Sequence, residues 1–193
     1  VRVDTVTGTY RADRLVIAAG PWAGTVMADL ELPLAAQRVP NAHFRSVRHD
    51  QFDGATSPIF SLLMPEGHFY AIPGPQEIGF KIGRHDGLPT VDPDVVQPAV
   101  TDAEIAMFQN LLGTYLPGAN GPVINTLTCL YTMTPDKHFI IDRHPAHEQV
   151  VIACGFSGHG FKFAPVVGEV LADLAVTGST EQPIGFLSVG RFG

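Results

Sequence analysis

Apolar and polar positions recur on two different periods along this chain, and the changes of period mark its elements. The clearest stretch is Val150–Gly178, VVIACGFSGHGFKFAPVVGEVLADLAVTG. Its first six residues, to Gly155, are mostly apolar and β-prone and predict a buried strand. A turn containing Gly155, Gly158 and Gly160 follows. Val166, Val167, Val170, Leu171 and Leu174 then recur at helical spacing, with Pro165 in the first turn and Gly178 placed to stop the helix. Strand, glycine turn and helix N-terminus together suit something electron-rich. Free amide N–H groups and the positive end of the helix dipole converge there, and glycine permits close approach.

The remaining periods divide the chain. Residues 1–20 predict two or three short strands, the last over Leu15–Ala19, and Pro21 and Trp22 lead into a short helical stretch to about Leu30. Leu32–Pro40 is expected to be a connector. From about Ala42 to Gly83 the runs HFRSV, IFSLL, HFYAIP and IGFKIG, separated by turn residues, predict an antiparallel sheet. Asp86–Pro98 reads as loop. Thr101 or Asp102 can cap a helix to about Leu116, with Ile105, Phe108, Leu111, Leu112 and Tyr115 on one face. Residues 123–142 hold two more strand-like stretches. The expected fold class is therefore α/β plus α+β: an α/β layer built from both ends of the chain (1–32 and 129–193) around an antiparallel insert (33–128).

Composition narrows the partners. The chain has 193 residues, enough for one sizeable core or two small ones. Twelve basic residues against 19 acidic give a net charge of -7, with no basic run, which argues against nucleic acid or an anionic membrane surface. No apolar run approaches the roughly 20 residues of a membrane helix, and no signal-peptide pattern is present. Cys129 and Cys154 are too few for a disulfide framework and suit a reducing compartment, so a cytoplasmic protein is expected. The chain opens without methionine in what reads as the second strand of a hairpin, and is expected to be a piece of a longer protein.

Several chemistries can be weighed on the residues. Gly155-Phe156-Ser157-Gly158-His159 has the strand–turn–helix setting of a nucleophile elbow, but histidine stands where its last glycine is required. His138, His144 and His147 cluster, yet Pro145 breaks any helix that would align the last two, and no CxxC or HExxH is present; no metal is expected. No G-x-G-x-x-G fingerprint occurs, so a dinucleotide's pyrophosphate-binding unit would have to lie outside this stretch. Lys162 stands just before the helix, where a positive charge opposes the dipole. It is either a solvated lysine or a cation held beside an anion-stabilising site.

Three strings carry a resemblance: TCLYTMTPDKHFIID (128–142), GFSGHGFKF (155–163) and ADRLVIAAGPWAG (12–24). They resemble the monomeric sarcosine oxidase and N-methyltryptophan oxidase family, flavoproteins of the D-amino-acid-oxidase-like group. The similarity runs over essentially the whole chain and covers only the C-terminal half of the family's protein. The resemblance implies the C-terminal part of a two-domain flavoprotein oxidase, with FAD-domain segments flanking an antiparallel-sheet substrate domain. It implies oxidation of a secondary amine such as an N-methyl amino acid by O2, giving aldehyde, amine and hydrogen peroxide. The partners it implies are a small amine, O2 and the N-terminal half of the same enzyme.

It also assigns residues. Cys129 occupies the position that carries FAD through a thioether, where an anonymous cysteine would be a buried apolar side chain; Cys154 lacks that context and stays core. Tyr131 would lie near the flavin. Gly155, Gly158, His159, Gly160, Phe161 and Lys162 form the turn that would stabilise negative charge on the reduced ring, with Lys162 as the oxygen-activating residue, also able to help hold a substrate carboxylate. Cys129 and Lys162 are then expected to flank one flat pocket. Tyr70 (GHFYAIP) and His85 (IGRHDG) match the family's substrate-site tyrosine and histidine fifteen residues apart, against sheet packing and a solvated loop histidine as the plain readings. The sequence departs from sarcosine oxidase proper at Arg84, Asp86 and Gly118–Pro122, which leaves the substrate open. The alternative is a redox-silent binding or assembly subunit that retains half of the fold.

Overall fold

The computed structural model describes residues 1–192, which divide into two compact units, 1–36 with Tyr131 onward, and Gln37–Leu130. The first unit opens with a solvent-exposed antiparallel hairpin, β1 (Arg2–Thr5) and β2 (Gly8–Arg11). Strand β3 (Leu15–Ile17) follows. The chain then turns through Gly20–Trp22 into one turn of helix, α1 (Ala23–Val26), whose Ala23 and the nearby Met27 are buried.

The second unit is built on a five-stranded sheet. Its strands are β4 (Ala35–Phe44), β5 (Phe60–Met64), β6 (Gly67–Ile72) and β7 (Phe80–Arg84), then, after helix α2 (Asp102–Tyr115), β8 (Val123–Met133). Their order is β5-β6-β7-β4-β8. Alternate residues of the central strands face opposite sides. Ala42, Phe44, Phe69, Ala71, Phe80 and Ile82 face one side, where Phe108, Leu111 and Leu112 of α2 close the core. Tyr115 lies at the rim of that helix face rather than inside it, its hydroxyl 3.4 Å from Glu66.

Helix α2 starts where its sequence says it should. The Thr101 hydroxyl accepts the Glu104 amide at 3.2 Å, and Glu104 accepts the Thr101 amide at 2.8 Å, a reciprocal cap on two otherwise orphan donors. Glu104 also takes a two-pronged bond from Arg38, at 2.6 and 3.1 Å, whose side chain is only 7% exposed. Arg38 donates further to the carbonyls of Pro98 and Ala99, so one guanidinium ties β4 to the end of the 86–98 loop.

The expected connector at Leu32–Pro40 is corrected: β4 begins at Ala35. Buried Arg38 and Asn41 hide its apolar pattern, and Pro40 reads as a strand breaker. Proline is tolerated there because the ladder to β7 begins one residue later, at Asn41 opposite Gly83.

Returning to the first unit, β9 (Ile140–His144), β10 (His147–Cys154) and α3 (Ala164–Val176) complete a three-stranded sheet of order β3-β10-β9. Strand β10 runs parallel to β3 and antiparallel to β9. It is covered on both faces, which explains its unbroken apolar run. Val151 packs with Val167, Val170 and Leu174 of α3, while Ile152 and Cys154 pack with Ala23 and Met27. Val166 departs from the expected apolar stripe: it is partly exposed, because the buried positions are 167, 170 and 174, with Leu171 packed at their edge. Among the described residues no helix is long and apolar enough to cross a membrane.

Candidate active site

The side of the five-stranded sheet away from α2 carries most of the chemistry in the second unit. Cross-strand register sets a row: Ser61 opposite Tyr70, Tyr70 opposite Gly83, Gly83 opposite Asn41. Directly paired residues of an antiparallel ladder share a face. Asn41 extends the row to β8, its side-chain amide donating to Cys129 Sγ at 3.4 Å. Five strands thus bring Ser61, Tyr70, Gly83, Asn41 and Cys129 onto one side.

Each neighbour in that row has a physical reason. A Cβ on Gly83 would come within 2.5 Å of the Tyr70 hydroxyl oxygen and 2.6 Å of its Cζ, so the glycine is what lets the phenol ring lie across β7. His85 follows β7, its amide donating to the His68 carbonyl at 2.8 Å, and its ring meets Tyr70 edge-on with centroids 6.5 Å apart. Tyr70 and His85, predicted from sequence, are therefore brought together. Lys81, opposite His43, holds its ammonium 5.7 Å from the centre of the Tyr70 ring. The sequence reading missed Lys81, His68 and Ser61. Their signal was parity with Tyr70 along alternating strands, readable only once the register is known.

Cys129 is exposed, not buried as an anonymous cysteine would be. Its partner Asn41 is fully buried; its side-chain oxygen and His43 Nε2 have no hydrogen-bond partner among the described residues, while His43 Nδ1 contacts the Ile78 carbonyl at 2.9 Å. Buried polar atoms without partners are uncommon and mark places where a ligand or water completes the set. Cys154 is the opposite case: burial pushes its thiol up to about 12, leaving it an inert part of the core.

The glycine turn is the chemical feature of the first unit. Gly155 ends β10 in the interior against Thr134. Ser157 is buried at 1% exposure with φ 48°; its hydroxyl donates to the Gly155 carbonyl at 3.0 Å and takes the Thr134 amide at 3.2 Å. A hydroxyl so engaged shapes the turn and presents no nucleophile. Gly158 has φ 77°, and a Cβ there would lie 2.5 Å from the Tyr131 ring, so Tyr131 packs flat against the turn. His159 shares its Nε2 proton with the Lys137 carbonyl at 3.0 Å and stacks on Phe139 with centroids 4.9 Å apart, pinning the loop.

Gly160 opens a short 3-10 turn, Phe161–Phe163, that feeds α3. Lys162, itself exposed, donates to the His159 carbonyl at 2.8 Å and lies 5.0 Å from the centre of Phe163, two contacts that draw its ammonium back to the turn. The amides of Gly158, Gly160, Phe161 and Lys162 take no backbone acceptor among the described residues. Phe161 is 96% exposed, an apolar ring standing open beside these donors. His144 is engaged with Asp29 at 3.0 Å and faces the His147 ring; among the described residues no cluster of His, Cys, Asp or Glu is arranged to hold a metal ion.

These two sets of residues can be compared with known proteins. A family profile described as FAD dependent oxidoreductase (DAO) matches residues 1–174. The chain belongs to this family. Within the DAO family it is 39% identical over 195 residues to the monomeric sarcosine oxidase of Bacillus sp. (strain B-0618), covering 99% of this chain and 50% of that protein. It is 37% identical over 184 residues to the N-methyl-L-tryptophan oxidase of Salmonella typhi, covering 91% of this chain and 47% of that protein. The chain spans about half the length of the curated relatives it matches. Among solved structures, that of NikD, an unusual amino acid oxidase essential for nikkomycin biosynthesis, superposes with a TM-score of 0.78 at 25% identity, covering 97% of this chain and 50% of that one. The glycine oxidase of Geobacillus kaustophilus shares the fold, with a TM-score of 0.75 at 19% identity, covering 98% of this chain and 48% of that one.

The residues present fit the cofactor this DAO family is named for. The second unit offers an accessible thiol beside an amide donor and two orphaned buried polar atoms. The first offers a concentration of free amide donors, a cation and an open aromatic ring, the kind of set that favours an electron-rich planar group.

Proposed function

We propose that the complete protein is an FAD-dependent oxidase of secondary amines, with an N-methyl amino acid as the substrate class. The single observation that carries the reading is the row Tyr70–Gly83–Asn41–Cys129 across one sheet face, with His85 against Tyr70. When bound, FAD supplies the two-electron oxidation of the C–N bond and passes the electrons to O2, so that with one water the N-methyl amine gives a primary amine, formaldehyde and hydrogen peroxide.

Cys129 would hold the cofactor covalently through its sulfur. The Asn41 amide donates to Sγ and holds the sulfur in place on the sheet face. Tyr70 and His85 line the amine site: the phenol and imidazole orient the nitrogen and exchange its proton. The turn at 155–162 lends its free amides to negative charge arising on the cofactor, and Tyr131 backs that turn. Lys162 supplies a cation toward oxygen and toward a substrate carboxylate; Lys81 is a second cation, on the face that holds Tyr70.

On this reading the second unit is the substrate domain and the first is part of an FAD-binding domain, whose nucleotide-binding βαβ unit belongs to the N-terminal half of the same enzyme. The two unpaired cysteines support a reducing, cytoplasmic setting. The names of the relatives support oxidation over a redox-silent subunit.

The test is made on the complete protein. A flavin band fluorescing in an acid-soaked denaturing gel, lost in Cys129→Ser, and peroxide release with sarcosine are the expected results. A colourless protein that releases no peroxide with any N-methyl amino acid would sink the proposal.

A further inference from the structure

On the same sheet face lies a group of residues for which the reaction itself has no use. Ser61 Oγ lies 2.9 Å from His68 Nε2. The His68 ring meets the His85 ring edge-on, with centroids 4.9 Å apart and planes at 71°. Since His85 in turn meets Tyr70, the contacts form a continuous line, Ser61–His68–His85–Tyr70, running from the edge strand β5 inward. Neither Ser61 nor His68 is buried, so each can touch a bound molecule.

The donor count on this face is one-sided. Register places Ser61, Leu63, His68, Tyr70, Ile72, Lys81, Gly83, His85, Asn41 and His43 on it, and Cys129 joins through Asn41. None of them is an aspartate or glutamate. The nearby Asp86 is committed to Arg84 at 3.2 Å, and Arg84, opposite Phe69, belongs to the other face. The Ser61–His68 pair keeps one donor to offer whichever tautomer it adopts. If the hydroxyl donates to Nε2, the Nδ1 proton of His68 is left; if Nε2 donates to the hydroxyl oxygen, the Ser61 proton is left. With the Lys81 ammonium, the donors and positive charge of this face are met, among the described residues, by a single nearby carboxylate, Asp86, which is already shared between Arg84 and the backbone amide of His68.

We infer that Ser61 and His68 form a specificity-determining wall of the amine site that selects secondary amino acids carrying a second carboxylate on the side chain. The inference rests on the amine-oxidase reading above. A carboxylate takes the leftover donor of the pair and sits in the field of Lys81, whereas an apolar side chain of the same size would leave that donor desolvated without a partner. A missing partner of this kind discriminates far more strongly than a missing methylene.

The experiment compares kcat/KM of the complete enzyme for N-methyl-L-aspartate and N-methyl-L-leucine, which are close in size and both carry the α-carboxylate, so that the ratio reads the side chain alone. The wild type is expected to prefer N-methyl-L-aspartate at least tenfold. His68→Leu is expected to lower that ratio at least tenfold, Ser61→Ala several-fold, and His68→Gln, which keeps an N–H donor, is expected to retain most of it. Ser61 is exposed on an edge strand, so Ser61→Ala gives a folded variant even where a histidine substitution does not. A wild-type preference for the leucine compound, or a ratio unmoved by both His68→Leu and Ser61→Ala, overturns the inference and leaves the oxidase intact. Failure to oxidise sarcosine or any other N-methyl amino acid overturns the oxidase reading and this inference with it.

Discussion

Adding one methyl group at position 83 tests the placement of Tyr70. Gly83 is buried and its backbone lies outside the left-handed region, so Gly83→Ala introduces no backbone strain, only a Cβ. That Cβ would stand 2.5, 2.6 and 2.7 Å from Oη, Cζ and Cε1 of Tyr70, where ordinary contact begins near 3.4 Å. The ring must therefore retreat by about 0.9 Å or the strands must part. Overpacking of this size costs roughly 1–3 kcal/mol. A misplacement of about 1 Å in a positioning residue costs on the order of a hundredfold in rate. The expected result is a fall in kcat/KM for sarcosine of that order, with a lowered denaturation midpoint. The control is Tyr70→Ala, which empties the space: in that background Gly83→Ala should carry almost no further stability cost, giving a coupling as large as the single penalty. An equal cost in both backgrounds would show that the glycine accommodates something other than the ring. Unchanged kcat/KM in a destabilised Gly83→Ala would remove Tyr70 from the amine site.

The two lysines and the helix cap give further predictions. Lys162→Met is expected to slow reoxidation of the reduced enzyme by O2 at least tenfold while sparing anaerobic reduction by substrate; stopped-flow measurement of both half-reactions checks this. Equal losses would make Lys162 a positioning residue, and a selective loss in Lys81→Met instead would transfer the oxygen-facing role to the strand lysine. Glu104→Ala leaves the Arg38 guanidinium buried without its carboxylate and removes the carboxylate half of the α2 cap, while the Thr101 hydroxyl still takes the amide of residue 104; a loss of about 3 kcal/mol is expected in chemical denaturation. Burial raises the Glu104 carboxyl, but the bonds from Arg38 and Thr101 outweigh it and hold it below its ordinary range. The wild type therefore has this contribution in full above the unfolded glutamate's titration, near pH 4.3, and loses it as acid protonates the folded carboxyl; the variant should lack that part of the acid sensitivity.

What could be read from the chain depended on whether the determining interactions were local. The β10–turn–α3 unit was legible because a strand covered on both faces is a continuous apolar run and because its turn announces itself in glycines. The cap of α2 was equally plain, since Thr101 and Glu104 stand three apart in sequence. Strand β4 was not, because the partners that make Arg38 and Asn41 acceptable inside lie 66 and 88 residues away, at Glu104 and Cys129. The same limit hid Ser61, His68 and Lys81. Alternation along one strand says which residues share a side, but only the register says which strands' sides are joined, and register is a long-range property. Tyr70 and His85 were found through resemblance; nothing local distinguishes them from an ordinary sheet tyrosine and loop histidine.

The contrast between the two sulfurs has a consequence for durability. On the proposed reaction the protein would release peroxide at its own surface, and oxidation of cysteine proceeds through the accessible thiolate. Cys154 keeps its proton at any pH the cell meets and lies sealed behind Ile152 and Met27, so it is no target. Of the two thiols Cys129 alone is accessible, and were its sulfur joined to the cofactor as proposed it would have no thiol left to oxidise to a sulfenic acid. Loading would then take the one accessible thiol of this stretch of chain out of reach of the proposed product.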